Sequence, residues 1–125
     1  MPMPAVKTIP LHFEKRTKRR NVLCVHCVSQ IHIVKKSQIV YLRASGNYCE
    51  IHTEDGESIL SSRTLKYYAD QLNGQDFFRC HQSFVVNIDF IEILHKGDNA
   101  SIELFDGSRL PIARRNQKGL LEAFG

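Results

Sequence analysis

The sequence predicts a mainly β domain, with short strands in stacked antiparallel sheets, one central helix and a short C-terminal helix. Three observations carry this expectation. β-branched and aromatic runs recur every eight to twelve residues, and tight-turn residues such as Asp55-Gly56 and Asp106-Gly107 separate them. The connections are too short for the crossovers that parallel pairing requires. Only one segment in the middle of the chain changes to a three- and four-residue apolar period.

Residues 1–20 come first and stand apart, with three prolines and the run KRTKRR at 15–20. Six Lys/Arg against Glu14 alone give this stretch a charge of +5, and the other 105 residues carry −1. The basic pI of 9.0 therefore belongs to a leader, read as a basic linker or tail. The domain proper is placed at 21–125. The chain's 42% apolar content suits a folded core, and no apolar run approaches the length of a membrane span, so a cytoplasmic protein is expected.

VLCVHCV (22–28), QIHIV (30–34) and SQIVYLRA (37–44) read as successive strands, and Ser45-Gly46-Asn47 as a turn. YCEIHT (48–53) alternates, with Cys49, Ile51 and Thr53 sharing a side, and Glu54-Asp55-Gly56 reverses the chain. In 62–74, Leu65, Tyr68, Ala69 and Leu72 recur at helical spacing, with Ser62 or Thr64 as cap and Asn73-Gly74 as stop. RCHQSFVVN (79–87), FIEILHK (90–96), ASIELF (100–105) and SRLPIA (108–113) resume the strands. Residues 114–125 form a short helix, expected to turn Leu120, Leu121 and Phe124 inward despite Gly119.

The chemistry-bearing residues point away from an enzyme. Carboxylates are scattered, no nucleophilic constellation is legible, and no glycine pattern cradles a phosphate or nucleotide cofactor. The four cysteines read as reduced, mostly buried thiols. Cys24 and Cys27 with Cys80 and His81 make a zinc site on paper, but Val22, Leu23, Val25 and Val28 favour extended backbone where a metal knuckle needs a turn. No metal is expected.

Three segments taken together are specific: LRASGNYCEIHTEDG (42–56), FFRCHQSFVVN (77–87) and SRLPIARRNQKGL (108–120). Their order and spacing, with Phe77, Arg79, His81, Ser83, Val86 and Asn87 in one pattern and a Pro-x-x-Arg-Arg close, resemble the LytTR family over roughly residues 22–124. These are DNA-binding output domains of bacterial response regulators, in which loops on stacked β-sheets meet the duplex.

The resemblance implies base contacts from Asn47, Tyr48, Gln82 and Arg115, and backbone contacts from Arg79, His81, Ser83, Asn87, Arg114, Asn116 and Lys118. Gln pairs bidentately with adenine and Arg with guanine in the major groove. The 109–118 stretch, with Arg109, Arg114, Arg115 and Lys118 and no acid, supplies a local basic patch. Gln82 stands where relatives often carry Asn or Arg, and Ala113 where many carry Ser.

Other roles remain open from the residues alone. Arg79 suits an ion pair with Asp76 or Asp89, Asn87 a turn, His81 a packing position and Tyr48 a core position. Arg114 and Arg115 at a helix start oppose the helix dipole, which suits a functional demand better than a structural one. The implied partner is double-stranded promoter DNA with repeated half-sites, bound by two copies, with a receiver domain outside these residues. A β-rich protein-interaction module is the rival, distinguished by a weak dependence of binding on salt.

Overall fold

The computed structural model describes residues 21–125; the basic leader at 1–20 lies outside the described residues. Strands β1 (Val22–His26) and β2 (Ile31–Lys35) form a hairpin. Next come β3 (Ile39–Ser45), β4 (Tyr48–Thr53) and β5 (Ser58–Ser61), then helix α1 (Leu65–Leu72). β6 (Phe77–His81) and β7 (Phe84–Asn87) follow. β8 (Ile91–His95), β9 (Ser101–Leu104) and β10 (Arg109–Pro111) lead to helix α2 (Gln117–Ala123).

All pairings are antiparallel, in a five-stranded sheet ordered β5-β4-β3-β7-β6, a three-stranded sheet ordered β10-β9-β8, and the β1–β2 hairpin. The five-stranded sheet is the middle layer. One face packs Ile39, Leu42, Cys49, Ile51 and Val85 against the hairpin and α1, which contribute Leu23, Val25, Val34, Leu65, Tyr68 and Leu72. The other packs Val40, Cys80 and Val86 against Ile102, Leu104 and Leu110 of the second sheet and Leu120 of α2. Two-sided burial explains the unbroken apolar runs at IVYL and FVV, since adjacent residues such as Val85 and Val86 enter opposite cores.

α1 lies within the 62–74 segment, between Thr64 and Asn73. Thr64 is its cap, its hydroxyl accepting the Tyr67 N–H at 3.2 Å, while Ser62 instead donates to the His26 carbonyl. The buried Tyr68 hydroxyl accepts the His26 N–H and shares a hydrogen bond with Ser61, tying the helix to β1 and β5. Each fully buried leucine of α1 contributes about 1.5–3 kcal/mol by leaving water.

Several expectations are corrected. The stretch 79–87, read as one strand, belongs to two, with a two-residue turn at Gln82-Ser83 flanked by the pair His81↔Phe84. Residues 58–61, assigned to no strand, pair with β4 and complete the hairpin that Asp55-Gly56 starts. Of the three residues expected to turn inward at the C-terminus, only Leu120 is buried; Leu121 and Phe124 are more than half exposed, since Leu121 points to a different side of α2 from its neighbour Leu120 and Phe124 lies just past the last residue of the helix. Cys24 faces solvent on β1.

Candidate nucleic-acid interface

Strand register gathers three chain segments at one end of the middle sheet. The Gly46-Asn47 turn joins β3 to β4 at the pair Ser45↔Tyr48, and Gly46 takes the positive φ of 61° that so tight a reversal needs. β7 lies against the other side of β3, and the Ala44 N–H donates to the Ser83 carbonyl at 2.9 Å, which sets the Gln82-Ser83 turn beside the first. The third segment is a 3-10 turn at Arg114–Asn116. It is fastened to β6 at one oxygen: the Cys80 carbonyl accepts the Ala113 N–H at 2.9 Å and the Asn116 Nδ2 at 3.1 Å.

Gln82 and Arg115 are exposed and line one shallow concavity with Arg79, His81 and Asn116. Among the described residues neither the Gln82 amide nor the Arg115 guanidinium has a hydrogen-bond partner. Asn47 is exposed in its turn, and Tyr48 is 49% exposed, which removes the core alternative for that ring. His81 also lines an adjoining concavity with Arg109 and Arg114, and Lys118 is exposed on the first turn of α2.

The remaining candidates carry structural bonds. Arg114 reaches Asp98 on the β8–β9 turn at 2.9 Å, and both partners are so exposed that the pair is easily exchanged for another anion. The His81 Nδ1 accepts the Ser83 N–H at 3.1 Å, leaving Nε2 as the donor of the neutral ring. Arg79 does not pair with Asp76 or Asp89: its Nε donates to the His81 carbonyl at 3.2 Å and a terminal nitrogen to the Gln82 carbonyl at 2.7 Å.

Asn87 is a correction. It is 2% exposed, its Nδ2 donates to the Ile39 carbonyl at 2.9 Å and the Lys36 carbonyl at 3.5 Å, and its Oδ1 accepts the Asp89 N–H. A side chain so enclosed cannot meet a phosphate, and the turn role holds instead.

One basic residue at this end was not singled out from the sequence. The pair Cys49↔Ser61 carries exposed Arg63, just beyond β5, to the end that bears the Gly46-Asn47 turn. Recognising β5 as the partner of β4 would have placed it. Two other arginines share carboxylates with histidines: Glu50 lies between His52 (2.9 Å) and Arg43 (3.1 Å), and Glu103 between His95 (2.9 Å) and Arg109 (3.4 Å). Hydrogen bonds from the histidine first, then the neighbouring arginine charge, hold both carboxyls below the ordinary glutamate range.

The cysteines lie apart. Cys80 is sealed in the second core and Cys49 in the first, and burial pushes both thiols up to about 12, so they stay protonated at neutral pH. Among the described residues no cluster of three or more His, Cys, Asp or Glu is placed to hold a metal ion, and no helix is long and apolar enough to cross a membrane.

Comparison with known proteins agrees with this architecture. A family model described as the LytTr DNA-binding domain matches residues 29–125. Sensory transduction protein LytT of Oceanobacillus iheyensis is 28% identical over 112 residues, 86% of this chain and 46% of its own length. LytT of Bacillus subtilis is 34% identical over 90 residues, 70% of this chain and 37% of its own. The transcriptional regulatory protein BtsR of Escherichia coli is 30% identical over 102 residues, 78% of this chain and 40% of its own. The chain thus spans less than half the length of these relatives. A solved LytTr DNA-binding domain from Bacillus cereus superposes with a TM-score of 0.70 at 20% identity, covering 84% of this chain and 97% of that one, a likeness of fold. With the family model spanning nearly all of the described body, the chain belongs to the LytTR family of DNA-binding domains.

Proposed function

We propose that this domain binds double-stranded promoter DNA sequence-specifically, as the output domain of a bacterial response regulator whose receiver domain lies outside these residues. Gln82 and Arg115 read base edges in the major groove, Gln82 with the geometry for adenine and Arg115 for guanine. Asn47 and Tyr48 add a contact from the neighbouring turn. His81, Ser83, Arg114, Asn116 and Lys118 hold phosphates and set register. Two copies occupy repeated half-sites about one helical turn apart.

The observation that carries this reading is the shared concavity: two exposed, uncommitted side chains of base-reading type meet there, on turns fastened to a two-sided sheet. Membership of a DNA-binding family and the basic stretch 109–118 support it. The test is selection of bound sites from random duplexes. Repeated half-sites with a fixed spacing are the expected result, and enrichment of no sequence would reject base reading.

A further inference from the structure

We infer that Arg79 is a positioning residue for Gln82 and does not hold a phosphate; the inference rests on the base-reading role proposed for Gln82. The Gln82-Ser83 turn lacks the glycine, asparagine or aspartate that usually stabilises a two-residue hairpin loop. Its shape is held from outside the backbone ladder instead. Arg79 binds the carbonyls of His81 and Gln82 with two nitrogens of one guanidinium, and His81 takes the Ser83 N–H on Nδ1. Three successive residues, 81 to 83, are thus each fixed by a side chain, while the Gln82 side chain itself is left unbonded among the described residues.

Arg79 lines a small cleft with Leu72, Phe77 and Val85 at the margin of the first core, apolar surface along which its stem can lie. The planar fork suits two carbonyls at once, and an ammonium at that site would carry the same charge without the paired geometry. Charge and geometry can therefore be separated by Arg79→Lys. A phosphate ligand should survive that change largely intact, and a clamp should not.

The experiment has two arms, on the whole domain. In the free protein, the carbonyl carbon shifts of His81 and Gln82 and the exchange rate of the Ser83 amide are compared between wild type, Arg79→Lys and Arg79→Gln. Both variants are expected to move the two carbonyl signals and speed Ser83 exchange; an undisturbed turn overturns the clamp whatever happens on DNA.

In the second arm, binding to a selected operator and to operators altered at the base pair that Gln82 reads is measured across salt. Arg79→Lys is expected to lose discrimination at that pair by roughly tenfold or more, as Gln82→Ala does, with an unchanged salt slope. The double variant should lose no more than Gln82→Ala alone. Arg79→Gln should leave the slope unchanged as well; a slope flattened by about one unit in Arg79→Gln, with discrimination intact in Arg79→Lys, would make Arg79 a phosphate ligand and sink the inference. If the turn loosens but Gln82→Ala discriminates as wild type does, the clamp stands and the base-reading role falls.

Discussion

The two ends of the β6–β7 hairpin carry the same chemical group to opposite uses. At the turn, Gln82 extends into solvent a side-chain amide that bonds to nothing among the described residues. At the open end, Asn87 sits opposite Phe77 with its amide buried and both its donors and its acceptor engaged. The family resemblance implied DNA contact for both. What separates them is position along the strand: the hairpin runs from the rim of the molecule into the space between β3 and the Ile88–Phe90 turn. An amide at the rim can exchange water for a base edge, whereas an amide inside must be satisfied by the fold itself.

The sharpest way to break this contrast is Asn87→Ala. Removing the amide leaves the Ile39 carbonyl and the Asp89 N–H without their buried partner, and the domain is expected to lose about 2–4 kcal/mol of stability in denaturant unfolding. The salt slope of DNA binding by the folded fraction should not change. Stability within about 0.5 kcal/mol of wild type, combined with weakened DNA binding, would return Asn87 to the interface.

Gln82→Ala and Arg115→Ala should do the reverse. Each is expected to cost about 1–3 kcal/mol on the selected operator, with non-specific binding nearly untouched and stability within about 0.5 kcal/mol of wild type. Equal weakening on specific and unrelated duplexes would mean that the residue does not read a base. Lys118→Ala tests the remaining class of contact, at the exposed start of α2. It should weaken all duplexes alike and flatten the dependence of log affinity on log salt by about one unit; an unaltered slope would exclude a phosphate there.

The same contrast marks where the amino-acid pattern was legible and where it was not. The β4 strand and its Asp55-Gly56 reversal were clear, since strict alternation and a positive-φ glycine are local signals. α1 was clear at its apolar stripe and blurred at its start, where Thr64 and Ser62 offered equal caps; Thr64 takes the Tyr67 N–H, and Ser62 donates to the His26 carbonyl. The Gln82-Ser83 reversal was hidden because it lacks the glycine, asparagine or aspartate that marks a two-residue hairpin loop; the Arg79 and His81 bonds that hold it are side-chain interactions that no local rule registers. The family resemblance proposed Gln82, Arg115 and Asn87 alike; the fold leaves the first two exposed and buries the third, because such a resemblance transfers residue types without the burial that decides their use. The orientation of Leu121 and Phe124 failed for a simpler reason: Leu121 lies off the stripe that buries Leu120, and Phe124 falls past the end of the helix.

Gly119→Ala probes whether stability and recognition remain separable even next to the site. Gly119 lies in α2, one turn beyond Arg115, and takes no positive φ, so its flexibility is not required by the backbone. A Cβ there would meet two ring atoms of Phe78 at 3.5 Å, an ordinary packing distance. Alanine should therefore raise stability by about 0.5–1 kcal/mol through the lost freedom of the unfolded chain. Because the Arg114–Asn116 turn is anchored to the Cys80 carbonyl and not to α2 alone, operator discrimination should stay constant as the melting temperature rises. If discrimination shifts along with it, the helix sets the reach of Arg115, and the separation argued from Gln82 and Asn87 does not extend to this side of the interface.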